Sequence, residues 1–125
     1  MYSVRGDTVL DPFAGTGTTA TAALLEARSS VGVERDPELV AAFEERAAEA
    51  PTRSEEIAER RLRRHREFVA ADEGEGEGKA DYEADHYDTR VVTTAERGIR
   101  LSTVGAVERV GEAPLRVVAT HEPFR

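Results

Sequence analysis

The sequence predicts an α/β fold, and three observations lead there. Residues 8–50 alternate short β-branched apolar runs with helical patterns. Gly15 and Gly17 fall where the first run ends and the first helical pattern begins, as a strand-to-helix turn requires. After an acidic stretch, residues 89–125 return to strand character. The chain thus divides into residues 1–71, 72–88 and 89–125.

Each element has its own warrant. Thr8–Pro12 (T-V-L-D-P) is a short apolar run with a β-branched start, ended by Pro12 and Gly15, and is expected to be a buried strand. Thr18 or Thr19 can cap the next helix, which runs to about Arg28 with Ala20, Ala23, Leu24 and Ala27 on one face. Ser29–Glu34 (S-S-V-G-V-E) is the second strand. Asp36 caps a second helix to about Ala50, and Pro37 sits in its first turn, where a missing N–H costs nothing. The two strands are expected to be parallel, with a right-handed crossover. A third helix is expected over residues 52–71, because Thr52-Arg53-Ser54-Glu55 fits a capping box and Ile57, Leu62, Phe68 and Val69 form a thin apolar stripe. Residues 72–88 have the composition of a flexible acidic linker. Strand character then returns at Val91–Thr94, Ile99–Leu101, Val104–Val110 and Leu115–Thr120, with Gly111–Pro114 joining the last two as a hairpin.

Composition narrows the function classes. The 125 residues suit one small domain, and the absence of Cys excludes disulfides and Cys-based zinc sites. His65, His86 and His121 are too far apart to suggest a metal motif, and no metal is expected. The longest apolar stretches fall short of the roughly 18 residues a membrane span needs, and Arg5 and Asp7 interrupt any leader-like run, so the chain is expected to be soluble and cytoplasmic. Eight acidic residues and one Lys lie between Asp72 and Asp88, a local charge of −7 out of −8. The remainder is near neutral and raises no net-charge objection to a nucleic-acid partner.

The chemistry is concentrated in Asp11-Pro12-Phe13-Ala14-Gly15-Thr16-Gly17-Thr18-Thr19, followed by Glu34 at the end of the second strand. A Gly-rich turn lets the backbone approach a ligand, and a helix start offers free N–H groups. An acid at the end of the next strand can accept from both hydroxyls of a ribose. Together they describe a pocket for an adenosine-containing cofactor. A phosphate-binding P-loop needs Lys after its second Gly, where Thr18 stands. A dinucleotide motif does fit Gly15-Thr16-Gly17-Thr18-Thr19-Ala20 with Glu34. Against it, Asp11 and Phe13 at the strand end suit a zwitterionic amino acid and an apolar or sulfonium group better than a pyrophosphate.

The string Gly6–Thr19, with Val31-Gly32-Val33-Glu34-Arg35-Asp36-Pro37-Glu38, closely resembles the S-adenosylmethionine site of DNA amino-methyltransferases, which methylate cytosine N4 or adenine N6. The likeness covers about residues 1–50 and implies a partial Rossmann-like methyltransferase fold. It further implies that Asp11, Phe13, Ala14, Gly15, Thr16, Gly17 and Thr18 surround S-adenosylmethionine and that Glu34 holds its ribose. The later segment, with Tyr87 and Val91-Val92-Thr93-Thr94 leading into short strands, also looks like a C-terminal extension of archaeal members.

The same resemblance exposes a departure. Enzymes of this family use a Pro-Pro-aromatic loop to polarise the amino group of a flipped base and stack on it. None of the five prolines (Pro12, Pro37, Pro51, Pro114, Pro123) adjoins another. His121-Glu122-Pro123-Phe124 is only a partial imitation, so no catalytic residue is assigned. In a permuted branch the catalytic loop precedes the cofactor motif, and this sequence looks like the C-terminal part of such an enzyme. A second polypeptide carrying that loop, and DNA, are the expected partners; the alternative is a non-catalytic module that holds S-adenosylmethionine or acts through its terminal strands. Arg60, Arg61, Arg63 and Arg64 could grip DNA phosphates. Equally they form a solvated helix face with Glu56→Arg60 and Glu59→Arg63 pairs.

Overall fold

The structure, a computed structural model, describes residues 3–74 and 78–125. Its elements run β1 (Thr8–Asp11), α1 (Thr18–Leu25), β2 (Ser29–Gly32), α2 (Pro37–Ala48), α3 (Ala50–Gly74), β3 (Tyr82–Glu83), β4 (Arg90–Val91), β5 (Ser102–Glu112) and β6 (Leu115–Pro123). A single 3-10 turn, Thr94–Glu96, precedes β5. Two compact units emerge: residues 1–54 with 103–122, and residues 55–102 with 123–125.

In the first unit β1 and β2 pair in parallel, with Leu10 opposite Val31 and Asp11 opposite Gly32. The connecting α1 packs on both strands and on α2. Asp36 caps α2 as the sequence predicts: its side chain accepts from the Glu38 N–H at 2.9 Å, and Pro37 fills the first turn. The expected cap of α1 is different. Gly17, in the left-handed region at φ 76°, occupies the cap position, and neither Thr18 nor Thr19 caps. The helix also stops at Leu25 rather than Arg28.

The interior of this unit is made of small residues: Ala23, Ala47 and Ala50 are essentially fully buried. Leu10 and Val31, register partners on one face of the β1–β2 pair, remain 67% and 54% exposed, and Val33 continues the same bare strip. A parallel pair ordinarily has both faces covered.

Residues 103–122 form a long hairpin whose two strands turn at Ala113-Pro114, inside the predicted connection. Polar contacts anchor it within the unit. The Val104 N–H donates to Ser54 Oγ (2.8 Å), His121 Nε2 meets the Leu24 carbonyl (2.7 Å), and Arg109 pairs with Glu44 (3.1 Å).

Ser54 corrects the expected capping box. The third helix begins at Ala50, so Thr52 and Ser54 lie inside it, and Ser54, 4% exposed, donates to the Pro51 carbonyl at 2.8 Å. The one capping box identified among the described residues belongs instead to Thr93 and Glu96. In the predicted stripe Val69 is buried, but Phe68 is 49% exposed and the buried partner on the helix is Ala58.

The second unit holds the rest of α3 and the antiparallel β3–β4 pair, in register Tyr82↔Val91 and Glu83↔Arg90. Strand β3 falls inside the stretch expected to be a linker; residues 75–77 of that stretch lie outside the described residues. Tyr87 organises the neighbouring loops. Its hydroxyl accepts from Leu101 N–H (2.9 Å) and donates to the Phe124 carbonyl (3.2 Å). No strand forms at Val92–Thr94 or Ile99–Leu101.

Ser54 and Thr52 give a direct test of this arrangement. Ser54→Ala strands the buried Val104 N–H and is expected to cost about 1–3 kcal/mol, read as a lower urea midpoint at unchanged slope. Thr52→Ala, at an exposed position, is expected to stay within about 0.5 kcal/mol; the reverse order would restore Thr52 as the cap.

Candidate functional site

The loop between β1 and α1 is built from backbone hydrogen bonds. Asp11 Oδ1 accepts from the Phe13 N–H (3.1 Å), a local turn that leaves the Phe13 ring 89% exposed. The Ala14 N–H donates to the Val33 carbonyl (3.0 Å), and the Gly17 N–H donates to the Ala14 carbonyl (2.9 Å). The Gly15 N–H reaches across to Glu34 Oε2 (2.9 Å).

Glu34 closes the circuit. Its Oε1 accepts from the Arg35 and Asp36 N–H groups at 2.8 and 3.0 Å, so one carboxylate takes three backbone donors. The Asp36 N–H is the largest influence lowering its pKa below the ordinary 4.5. Desolvation opposes that shift, while the Gly15 and Arg35 N–H groups and the Arg35 charge reinforce it.

The two glycines differ. Gly15, at φ 53°, has open space where a Cβ would stand, so a ligand can lie against its backbone. Gly17 is buried, and a Cβ there would come within 2.6 Å of the Phe43 ring on α2. Gly17, which the resemblance implies lines a cofactor, packs closely against α2 in this way. Gly32 is similar, since a Cβ on it would approach Ala14 to 3.0 Å.

Sequence reasoning missed the contribution of α2. Arg46 Nη1 donates to both the Thr16 carbonyl and Thr16 Oγ1, each at 3.0 Å, and pins the loop from behind. Phe43 and Arg46 are three residues apart on α2 and so share a face. That spacing was the available signal, hidden because neither residue belongs to a ligand motif.

The structure therefore gathers Asp11, Phe13, Ala14, Gly15, Thr16, Thr18 and Glu34 around one loop. The N–H groups of Phe13, Ala14, Gly15 and Gly17 are all spent within the protein. The first turn of α1, which starts at Thr18 with no side-chain cap, remains the donor surface of the loop. The remaining predicted residues lie in the second unit. Arg60, Arg61, Arg63 and Arg64 are exposed on α3, and Arg63 lies 4.0 Å from Glu67. Among the described residues no acidic or His cluster could hold a metal ion, and no helix is long and apolar enough to cross a membrane.

The fold and loop define an α/β protein with a glycine-rich strand–loop–helix turn closed by Glu34. Comparison with known proteins narrows the class. Residues 1–45 match the sequence profile of the N6/N4 DNA methylase family. The chain is similar to the Type II methyltransferase M.MthZI of Methanothermobacter thermautotrophicus, 42% identical over 101 residues, which is 81% of this chain and 27% of that protein. It is also similar to M.MjaI of Methanocaldococcus jannaschii (54% over 46 residues, 37% of this chain and 15% of the relative). A third Type II methyltransferase, M.BglI of Bacillus subtilis, is 56% identical over 40 residues, 32% of this chain and 12% of the relative. The chain thus spans about a quarter of the first relative's length and less of the others. No solved structure matches. A 101-residue span of this chain has to include residues 25–101, so the likeness to M.MthZI extends well beyond the loop site.

Two measurements check the loop. Gly17→Ala combines left-handed strain with a clash against Phe43 and is expected to cost about 2–4 kcal/mol. Gly15→Ala meets only the strain, about 1–2 kcal/mol; equal losses would refute the packing role of Gly17. Because the Glu34 pKa is depressed on folding, its hold on the loop is complete at neutral pH and is lost only as pH falls through that lowered value. The Gly15 amide resonance should therefore titrate with a midpoint below 4.5, and Glu34→Gln should abolish the step.

Proposed function

We propose that this chain is the S-adenosylmethionine-binding part of a DNA amino-methyltransferase acting on cytosine N4 or adenine N6. The meeting of the glycine loop and Glu34 carries the reading: an acid at the end of β2 stands 2.9 Å from the Gly15 N–H, beside a backbone with open space over it. Open space at Gly15 and the exposed Phe13 ring suit a flat or apolar ligand surface. Glu34 would hold the ribose, with Asp11 and Thr18 beside the amino-acid end. S-adenosylmethionine, when bound, supplies an electrophilic methyl group. The chain's own residues orient it: Glu34 by accepting hydroxyl protons, Arg46 by fixing the Thr16 backbone, and Phe13 by covering it from solvent.

Methyl transfer needs a further segment. With no Pro-Pro-aromatic loop among its residues, the chain depends on another polypeptide region to polarise the target amino group. The bare strip Leu10, Val31 and Val33, and the single neighbour of β1, support docking of that region on the β1–β2 sheet.

Calorimetric titration of the chain with S-adenosylmethionine and, separately, NAD tests the reading. Binding of the first alone is expected, weakened about tenfold or more by Glu34→Gln, as for a hydrogen bond to a charged group. Preference for NAD, or full affinity in Glu34→Gln, would overturn it.

A further inference from the structure

The second unit contains a trough that the cofactor site does not use. Two adjoining hollows, about 560 and 380 Å³, share Arg66, Tyr87 and Asp88 in their walls. Arg90 borders the first hollow, Arg63 and Arg125 border the second, and Arg66 stands between. Guanidinium groups thus recur along the trough, each able to engage a phosphate in bidentate fashion.

Two aromatic rings share this wall. Tyr87 and Phe124 lie 6.4 Å apart and both line the second hollow. The Tyr87 ring cannot swing away, because its hydroxyl is held by Leu101 N–H and the Phe124 carbonyl. Fixed aromatic rings beside arginines are the pairing that binds unstacked bases together with their backbone. Glu59, Glu83 and Asp88 also line the trough. They can accept hydrogen bonds from the exocyclic amino groups of bases.

A ligand that alternates phosphates with amino-bearing flat rings satisfies every part of this lining. We propose that the trough binds a single strand of nucleic acid, with Arg63, Arg66 and Arg125 on phosphates and Tyr87 and Phe124 against a base. The choice of DNA as that strand rests on the methyltransferase reading of the first unit. The site itself stands on the geometry of the second.

The test uses the 125-residue chain and a fluorescent mixed-sequence 12-nucleotide DNA strand, followed by anisotropy from low to moderate salt. Three phosphate contacts predict a log–log salt slope of about −2. The Arg63→Gln/Arg66→Gln pair should weaken binding at least tenfold and flatten that slope by about 1.4. The Arg53→Gln/Arg100→Gln pair, outside the trough, should change affinity less than twofold; these four arginines are exposed, so folding is not at stake. Equal losses in the two pairs would reduce the effect to net charge and overturn the proposal. Tighter binding of the matching duplex, or no binding at low salt, would overturn it as well. S-adenosylmethionine titration of the same samples separates the two readings: cofactor bound without strand refutes the trough alone, whereas strand bound without cofactor refutes the function proposed for the first unit.

Discussion

Three backbone N–H groups converge on the Glu34 carboxylate, and the geometry of the loop site follows from that convergence. Gly15 belongs to the loop after β1, while Arg35 and Asp36 lead from β2 into α2. One side chain therefore locks a turn in one crossover to the start of the next helix. The Asp36 side chain then caps α2, which orients Phe43 and Arg46 toward the loop that Glu34 has closed. Gly17 completes the arrangement by leaving room for Phe43. Each contact presupposes the others, so the site is held by mutual constraint rather than by any large buried side chain.

The rest of the first unit is built differently. Its buried residues are small, chiefly Ala23, Ala47 and Ala50 with Val104, while Leu10, Val31 and Val33 lie exposed on the sheet. Burying a Leu or Val is worth about 1.5–3 kcal/mol, and that gain is missing on the bare face. The consequence is a unit whose loop is locally well determined and whose layers are incomplete. Both properties are expected when a cofactor-binding element forms part of a larger sheet, where local hydrogen bonds shape the loop and neighbouring strands supply the burial.

What could be read from the sequence follows the same division. The β1–α1–β2–α2 order and the Asp36–Pro37 helix start were legible because each depends on chemistry within a few residues, whereas the bond from the Gly15 N–H to Glu34, 19 residues on, was not. The α1 cap was misread because Thr18 and Thr19 have good cap chemistry, but the packing of Phe43 selects a left-handed glycine one position earlier. Ser54 was misread for a related reason: its hydroxyl serves Val104, a contact 50 residues away that no local pattern encodes. The acidic composition of residues 72–88 likewise concealed β3, whose partner β4 lies beyond that stretch. Arg46 was silent because a single arginine on a helix announces nothing until the loop it holds is in place.

Glu34 also limits how a ligand can enter. A carboxylate offers about four acceptor positions, and three are already taken by backbone donors. A ribose brings two hydroxyl donors and finds one position open. Under the proposed reading, holding both hydroxyls requires the carboxylate to give up one backbone bond. The Gly15 bond is the one that spans the loop, whereas those to Arg35 and Asp36 are made by the carboxylate's immediate neighbours in the chain. Exchanging it lets the loop move without disturbing the start of α2. Under that proposal the group that shapes the loop is also the group that would recognise the ligand, which would couple binding energy to the conformation of the glycine loop.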